Sequence, residues 1–274
     1  MEYSIKSTSD YPPREIAVLL TRSFEGYFVP IRFDEPGLLQ MVRRDGVDLT
    51  SGRVVLADET PVGIALIARR GWTSRVAGMG ITADFRGKGA GKYLMGRLVQ
   101  EAHQRGDRTL TLEVIEQNEP AVRLYESFGF ARMRRLAGFI LEDPGVTGDA
   151  QLEEIDIREL ARMIALYGFS DLPWQVSAET IAHFTPPARA FRSGAAYALI
   201  SNPDVEHISF HSLLVEKSAR GQGKAGEMIR AILAAHPGRT WHVPAIIPEE
   251  IGMVFKKVGF NREMLSQWQM KLGL

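Results

Sequence analysis

The sequence predicts an α/β protein made of two homologous halves. Two short stretches read almost alike, Arg86-Gly-Lys-Gly-Ala-Gly91 and Arg220-Gly-Gln-Gly-Lys-Ala225, and they begin 134 residues apart. Each follows an apolar run typical of a strand and precedes a run with helical periodicity. A Gly-Phe pair comes some forty residues after each stretch, at Gly129-Phe130 and Gly259-Phe260, and these pairs lie 130 residues apart. The shared order indicates one strand–turn–helix module used twice.

The elements of the first half follow from periodicity and from its turn residues. Tyr3–Lys6 alternates like a strand, and Pro12-Pro13 opens a helix with Ile16, Leu19 and Leu20 on one side. The segment 53–57 and the segment 62–68 predict a hairpin across a turn at Asp58-Glu-Thr-Pro61. The other predicted elements are a helix over 37–44, a strand over 75–82, a helix with the stripe Leu94, Leu98 and Ala102, a strand over 109–114, and a short helix from Pro120 to Gly129.

The second half repeats this order after a segment with the composition of a linker, residues 142–149. We therefore predict two domains, 1–143 and 150–274. The predicted elements are a helix over 160–166, strands over 196–200 and 207–215, a helix with Met228, Ile229, Ile232 and Leu233, a strand over 240–243, a helix over 249–257 and a final strand over 265–272.

Composition narrows the classes of function. Of 274 residues, 45% are hydrophobic and 24% are charged, which is ordinary for globular domains. Lys plus Arg (33) equals Asp plus Glu (33), so no net field favours nucleic acid or an anionic membrane as a partner. With no cysteine there is no thiolate nucleophile or thiolate metal site. The N-terminus lacks the pattern of a signal peptide, and we expect a cytoplasmic protein.

The turn at Arg86 has the character of a phosphate-binding loop. A pyrophosphate needs several converging N–H donors and the positive end of a helix. Gly87, Gly89 and Gly91 let the main chain approach an anion closely, and Lys88 and Lys92 add positive charge. No Gly-Lys-Ser/Thr follows, which excludes a Walker loop, and no acidic residue stands where a Rossmann unit needs one.

Two longer stretches resemble a known family. Gly80-Ile-Thr-Ala-Asp-Phe-Arg-Gly-Lys-Gly-Ala-Gly-Lys-Tyr-Leu-Met95 resembles motif A of the GNAT superfamily of N-acetyltransferases, and residues 112–130 resemble its motif B. The second half matches motif A and only a degraded motif B. The resemblance implies two tandem GNAT-like domains of the α+β type, each a mixed, largely antiparallel sheet flanked by helices.

The resemblance also implies a cofactor site and an activity. Acetyl-CoA would lie between the strand that ends at Ile81 and the strand that contains Glu113, and Asn118 would touch the pantetheine or order the Pro120 helix. The reaction would be acetyl transfer to an amine by direct attack in a ternary complex, with no metal. The implied cofactor-binding residues are Ile81, Thr82 and Ala83 for the pantetheine, Arg86, Gly87, Lys88, Gly89, Ala90, Gly91 and Lys92 for the pyrophosphate turn, and Asn118.

Tyr125 lies where many members of the family place a general acid, and a phenol beside the sulfur can protonate the departing thiolate. A main-chain N–H near Ile81 could stabilise the oxyanion. Glu113 and Glu116 are the candidate general bases. The family walls its acceptor site with the segments that hold the aromatic residues Phe24, Tyr27, Phe28 and Trp72, which could equally pack in the core.

The second half lacks counterparts of Tyr125 and Asn118. When Gly259 is aligned with Gly129, Phe255 lies opposite Tyr125, and Ile247-Pro-Glu249 lies opposite Asn118-Glu-Pro120. We therefore predict catalysis in the first half, with a degenerate second domain whose binding of CoA stays open. His207 and His211 follow a strand pattern and predict no zinc site.

Two functions remain open at this point. The first is an N-acetyltransferase acting on the amine of a small molecule or a protein. The alternative is a non-catalytic acyl-CoA-binding or interaction protein with two degenerate GNAT folds. Neither the acceptor nor the oligomeric state can be deduced from the sequence.

Overall fold

The chain divides into two compact units. Unit 1 comprises Met1–Met133 and Trp268–Leu274, and unit 2 comprises Arg134–Gln267. The computed structural model describes residues 2–142, 144–145 and 151–274. The predicted domain limits, residues 143 and 150, and residues 146–149 of the predicted linker lie outside the described residues.

Unit 1 contains five consecutive strands in the order β1-β2-β3-β4-β5. Neighbouring strands are antiparallel except β4 and β5, which run parallel. The elements are β1 (Tyr3–Ser7), α1 (Pro13–Ser23), α2 (Glu35–Asp45), β2 (Val47–Ala57), β3 (Thr60–Arg70), β4 (Thr73–Ile81), α3 (Ala90–Arg105), β5 (Thr109–Ile115) and α4 (Glu119–Ser127).

Unit 2 repeats this architecture, with the strand order β7-β8-β9-β10-β11 and one parallel pair, β10 with β11. The predicted fold class, two tandem GNAT-like α+β domains, is confirmed. The elements are β6 (Ala131–Leu141), β7 (Glu153–Ile155), α5 (Ile157–Tyr167), α6 (Ala178–Ile181), β8 (Arg189–Ser193), β9 (Ala196–Ile200), β10 (His207–Val215), α7 (Lys224–Ala235), β11 (Thr240–Pro248) and α8 (Glu249–Lys257).

The sixth strand of each unit comes from the other half of the sequence. In unit 1 it is the end of β12 (Asn261–Gly273), which follows β5 in the sheet, and the Leu274 N–H donates to the Arg108 carbonyl at 3.1 Å. In unit 2 it is β6, which pairs antiparallel with β11 from Leu136↔Pro248 to Leu141↔Trp241. The compact units and the halves of the sequence therefore differ at these two strands.

The core of unit 1 forms where the apolar stripe of α3 meets one face of β5. Leu94, Met95 and Leu98 from α3 belong to one buried cluster with Leu112 and Val114. Gly106 ends α3 in the left-handed conformation, with φ of 76°, and its N–H donates to the Ala102 and His103 carbonyls. The sheet and α3 thus hold the turn between β4 and α3 in a fixed place.

The two methionines of β12 test the exchanged strand. Met270 is 0% exposed in the core of unit 1, whereas Met264 is 92% exposed. We expect Met270→Ala to lower the free energy of unfolding by about 2–5 kcal/mol, because a buried methionine leaves a cavity. Met264→Ala should change it by less than about 0.5 kcal/mol. Urea denaturation measures both, and equal effects would place Met270 outside the core.

Candidate active site

The site in unit 1 begins where two parallel strands part. β4 and β5 pair from Thr73↔Thr109 to Val76↔Leu112 and no further. β4 continues instead along β3, as far as the Gly63↔Ile81 pair. The ends of β4 and β5 therefore border a V-shaped cleft, and the cleft-facing edge of β4 keeps main-chain groups that β5 does not bind.

The register of β4 decides which of its groups face the cleft. The Thr82 N–H donates to the Val62 carbonyl at 2.9 Å, and the Thr82 hydroxyl donates to the same oxygen at 3.1 Å. Successive residues of a strand direct their N–H and C=O groups to opposite sides. The main-chain groups of Met79 and Ile81 are thus directed away from β3, toward the cleft. The sequence prediction did not include Met79, because the pairing register of β4 with β3 cannot be read from the sequence of β4 alone.

The turn after β4 has the geometry of an anion cradle. Gly87 and Gly89 have φ of 73° and 93°, a left-handed region that L side chains rarely adopt. Gly89 is the N-cap of α3, and the Tyr93 N–H donates back to its carbonyl at 3.0 Å. The N–H groups of the three residues before Tyr93, at 90–92, have no carbonyl within the helix to bind.

The charges around the cradle favour an anion. The first turn of α3 has no acidic residue, and Lys88 and Lys92 are exposed beside it. Lys88 Nζ lies 5.4 Å from the centroid of the Phe85 ring. The Lys88 carbonyl accepts a hydrogen bond from the Tyr3 hydroxyl at 2.9 Å. A surface recess of about 480 Å³ adjoins the cradle, lined by Gly89, Lys92, Tyr93, Gly96, Arg97 and Phe128.

Arg86 braces the cradle through main-chain carbonyls. Its Nε donates to the Ile81 carbonyl at 2.9 Å, and one Nη donates to the Ser23 and Glu25 carbonyls at 3.2 and 2.6 Å. The guanidinium therefore ties the end of β4 to the end of α1. Arg86, which the resemblance includes in the pyrophosphate turn, is thus the residue that braces this turn.

Tyr125 and Asn118 both lie on the short helix α4. Tyr125 is 8% exposed, and burial raises the pKa of its hydroxyl, with a smaller contribution from Tyr27. Asn118 is the N-cap of α4, and its side chain accepts from the Ala121 N–H at 3.4 Å. This hydrogen bond caps α4, the helix that contains Pro120. It agrees with the second of the two roles predicted for Asn118, which is to order that helix.

Tyr27 reaches the same region from the loop after α1. Burial raises the pKa of Tyr27, and hydrogen bonds with the Asn118 side chain and the Ile115 main chain oppose this shift. Its ring packs edge-on against Phe24 and Phe28, with centroids 5.2 and 5.4 Å away. Of the acceptor-wall aromatics that the sequence suggests, Tyr27 is therefore the one that contacts Asn118.

Glu113 lies in a buried ion pair. Its carboxylate accepts from Arg75 Nε at 2.7 Å, and the two side chains are 3% and 6% exposed. Arg75 was not predicted, because β4 and β5 are distant in sequence and only their parallel pairing brings these residues together. Glu116, the other candidate base, is half-buried just beyond the end of β5.

Unit 2 preserves the brace and the turn of this site. Gly221 and Gly223 have φ of 78° and 80°, and Arg220 Nε donates to the Val215 carbonyl at 3.1 Å. One Nη of Arg220 also donates to the Tyr167 carbonyl at the end of α5.

The chemistry of the two units differs. Phe255 is 1% exposed in the position of Tyr125, and α8 begins at Pro248 without a side-chain cap. In the first turn of α7, Glu227 accepts from Lys224 at 2.8 Å. Unit 2 therefore has the scaffold of the cleft without its phenol and its asparagine.

Comparisons with known proteins agree with this geometry. Residues 15–130 match the model of the acetyltransferase (GNAT) family. A streptothricin acetyltransferase of Streptomyces lavendulae is 35% identical over 77 residues, 27% of this chain and 41% of the relative. A ribosomal protein bS18-alanine N-acetyltransferase of Salmonella typhimurium is 44% identical over 57 residues, 20% of this chain and 38% of the relative. Residues 15–130 thus resemble the GNAT family, as the motifs predict, and these matches span about two fifths of the curated relatives.

Solved structures match along nearly the whole chain. A tandem GNAT protein from the clavulanic acid biosynthesis pathway has a TM-score of 0.66 at 18% identity, covering 99% of this chain and 98% of that one. A putative acetyltransferase from Pyrococcus horikoshii has a TM-score of 0.69 at 14% identity, covering 99% of this chain and 89% of that one. At these identities the likeness shows the fold, and the fold is that of tandem GNAT proteins.

None of the described helices combines the length and the apolar character needed to cross a bilayer. Within residues 2–142, 144–145 and 151–274, no group of three or more His, Asp or Glu side chains is placed to hold a metal ion.

The buried pair of Arg75 and Glu113 yields a stability prediction. Arg75→Met should lower the free energy of unfolding by about 3–5 kcal/mol, because it leaves a buried carboxylate without its cation. The double variant Arg75→Met/Glu113→Leu should cost less than the single one. Arg123 and Glu119 form a matched exposed pair at 2.9 Å, and Arg123→Met should cost at most about 1 kcal/mol. Chemical denaturation of the wild type and the three variants tests this, and a double variant that costs as much as Arg75→Met would contradict it.

Proposed function

We propose that the protein is an N-acetyltransferase that moves the acetyl group of acetyl-CoA to an amine by direct attack in a ternary complex. The observation that carries the proposal is an anion cradle at the end of the cleft between β4 and β5, with the buried phenol of Tyr125 on α4, the helix that follows β5. The GNAT match over residues 15–130 covers both features.

The binding step uses the parted strands. The pantetheine, which carries amide groups, would add as a strand along β4 and pair with the main chain of Met79 and Ile81, with Thr82 and Ala83 at the turn beyond. The pyrophosphate would accept hydrogen bonds from N–H groups between Gly87 and Lys92, at the positive end of α3. Arg86 would hold this turn in shape, and Lys88 and Lys92 would screen the charge of the phosphates.

The chemical step follows from the donors beside the thioester. The neutral amine attacks the carbonyl carbon, and the carbonyl oxygen becomes an oxyanion that a main-chain N–H near Ile81 stabilises. The tetrahedral intermediate collapses, the C–S bond breaks, and the sulfur leaves as a thiolate. The Tyr125 hydroxyl donates its proton to that thiolate, the nitrogen keeps the acetyl group, and the proton that the acylated nitrogen releases restores the phenol.

The amine must first lose a proton. Glu113 could accept it only by exchanging Arg75 for the incoming ammonium, because the two side chains are paired at 2.7 Å. Glu116, just beyond the end of β5, is the other candidate, and it would act directly or through water. The two relatives are named for different acceptors, streptothricin and the alanine of a ribosomal protein. We accordingly propose the amine of a small molecule or a protein as the acceptor.

Replacing Tyr125 tests the general acid. Tyr125→Phe should lower kcat by about 10²–10⁴-fold, because the thiolate leaves without its proton. The Kd for acetyl-CoA should change little, since the ring and its packing remain. Tyr11→Phe in the same unit is the control and should keep full turnover. The measurement is acetylation of a panel of amines with mass detection. Full turnover by Tyr125→Phe contradicts the role of Tyr125, and acetyl-CoA binding without transfer by the wild type favours a non-catalytic binding protein.

The burial of Tyr125 predicts how the rate of the same reaction depends on pH. Tyr125 donates only in its protonated form, and burial raises its pKa above the ordinary value of about 10. The rate should therefore show no loss from ionisation of Tyr125 up to about pH 10. A kcat profile from pH 6 to 10 checks this, and an alkaline limb below pH 10 that vanishes in Tyr125→Phe would contradict the raised pKa of Tyr125.

Matched glycines test the cradle. Gly89 and Gly223 have φ of 93° and 80°, and a Cβ at Gly89 meets no heavy atom within 4 Å. Gly89→Ala should thus act through backbone strain of about 1–3 kcal/mol, which turns the N–H groups and weakens acetyl-CoA binding about tenfold. Gly223→Ala strains only the second cradle and should leave binding in unit 1 intact. Calorimetric titration measures both, and an equal loss in the two variants would contradict the placement of acetyl-CoA in unit 1.

A further inference from the structure

Unit 2 contains a cavity at the point where two of its strands part. β10 and β11 pair from His207↔Thr240 to Ser209↔His242 and then diverge. The cavity beyond has a volume of about 310 Å³, within the range of small-molecule sites. An apolar cavity of roughly 150 Å³ is enough to hold one benzene molecule. The volume in unit 2 therefore suits a molecule of about two fused rings.

The walls of this cavity, which we call the apolar pocket, are almost entirely hydrocarbon. They come from α5 and the loop after it, from β10 and from α8, and they include Ile164, Phe169, Leu172, Leu213, Ile251 and Val254. A charged or strongly hydrated molecule would lose its hydrogen bonds to water there and regain few of them. An apolar molecule loses no such bonds and is driven in by the hydrophobic effect.

The one cationic side chain among the residues that line the apolar pocket, Arg220, is engaged by the protein itself. Its Nε donates to the Val215 carbonyl at 3.1 Å, and one Nη donates to the Tyr167 carbonyl. The guanidinium also lies 4.8 Å from the centroid of the Phe169 ring. Because these contacts use the guanidinium to brace the turn, an anion in the pocket would have to compete with them.

Ser212 contributes a hydroxyl to the hydrocarbon wall. A bulge between Phe210 and Ser212 shifts the register of β10, and Ser212 lies on the same face of the strand as Leu214. Leu214 packs in one buried cluster with Ile164 of α5, which also lines the pocket. Ser212 is 6% exposed, and its hydroxyl has no hydrogen-bond partner among the described residues. A buried hydroxyl without a partner is costly, so Ser212 marks the place for a polar atom of a ligand.

The turn beside the pocket also differs from the turn of unit 1. Equivalent positions of the two turns lie 134 residues apart, and Gln222 and Gly226 stand where unit 1 has Lys88 and Lys92. The first turn of α7 contains the acidic Glu227, which is paired at 2.8 Å with a lysine of the same turn, whereas the first turn of α3 has no acidic residue. The turn of unit 2 thus lacks counterparts of the two lysines that flank the proposed phosphate site of unit 1.

We propose that the apolar pocket of unit 2 binds an uncharged molecule of about two rings, which is hydrocarbon apart from one hydroxyl or carbonyl group. The rings fill the space between the parted strands, and the Ser212 hydroxyl forms a hydrogen bond with the ligand's oxygen. This ligand is not an acyl-CoA. Unit 2 is then a small-molecule site whose chemistry differs from that of the acetyl-transfer site proposed for unit 1.

Two fluorescent compounds that differ by one hydroxyl group, naphthalene and β-naphthol, test the role of Ser212. Fluorescence titration with the full chain at neutral pH measures the Kd of each. We expect Ser212→Ala to weaken the binding of β-naphthol about fivefold, which is the effect of one neutral hydrogen bond. The Kd of naphthalene should change by less than about twofold, because naphthalene has no polar atom. Ser209→Ala, on the same strand and outside the pocket, is the control and should change neither Kd.

Two neighbouring positions of α8 test the location. Val254 lines the pocket, whereas Met253 is 42% exposed and does not line it. Val254→Phe places a ring in the pocket and should weaken the binding of both compounds at least about tenfold, whereas Met253→Phe should bind them like the wild type. β-Naphthoate, whose carboxylate is charged, should bind the wild type at least about tenfold more weakly than β-naphthol does. The Tm of each variant shows that it is folded.

Several results would overturn the proposal. An absence of binding by the wild type, or unchanged binding by Val254→Phe with the wild-type Tm, would exclude the pocket as the site. An equal effect of Ser212→Ala on naphthalene and β-naphthol would remove the hydrogen bond, and tighter binding of β-naphthoate than of β-naphthol would indicate an anion site instead. If Val254→Phe does not fold, the comparison of Ser212→Ala with Ser209→Ala decides.

A competition experiment distinguishes this ligand from an acyl-CoA. A side chain at Gly91 would point toward Leu124, Ile81 and Met79, so Gly91→Phe obstructs the cleft of unit 1. Acetyl-CoA should leave the binding of β-naphthol to Gly91→Phe unchanged, and displacement would show that unit 2 is a second acyl-CoA site. The acetyl transfer proposed for unit 1 is measured with the wild type and Tyr125→Phe, so its failure and the failure of this proposal are separate results.

Discussion

The parting of β4 from β5 is the constraint on which the rest of the site depends. Parallel strands that stayed paired to their ends would bind each other's main chain and leave no room for a ligand. Because β4 follows β3 beyond Val76, its outer edge faces an open cleft. The turn that follows, with Gly87 and Gly89 in the left-handed region, begins where β4 ends beside this cleft. One change in strand pairing thus leaves an edge of β4 that β5 does not bind, next to the cradle.

The arginine that opens each turn preserves this geometry. Arg86 and Arg220 use their guanidinium groups in the same way, on the carbonyl at the end of the preceding strand and on a carbonyl at the end of the unit's first long helix. The planar guanidinium holds several donors in a fixed fork, so it binds carbonyls from two elements at once in a geometry that a lysine ammonium does not fix. The two turns have therefore stayed alike although the chemistry beside them has diverged. The similar turns therefore show that the two units share an architecture. The phenol of Tyr125 distinguishes unit 1, where we propose the enzymatic reaction, from unit 2.

The buried pair of Arg75 and Glu113 has a cost and a use. Two charges withdrawn from water are expensive unless they neutralise each other at close range. At 2.7 Å they do, and the pair joins β4 to β5 near the last point at which the strands are paired. It thus fixes the vertex of the cleft. The same pairing weighs against Glu113 as a freely available base.

The sequence alone determined the duplicated α/β architecture, the cradle and the difference between Tyr125 and Phe255, because each of these is written in local patterns. Glycine spacing, helical periodicity and the residue aligned with a Gly-Phe pair need no knowledge of distant contacts. Tertiary structure decided the rest. The exchange of β6 and β12, the partner of Glu113, the carbonyls bound by Arg86 and the direction of the Met79 main chain all depend on which strands lie side by side and in what register. Sequence periodicity indicates the face of an element, whereas these features are set by pairing between residues far apart in the chain.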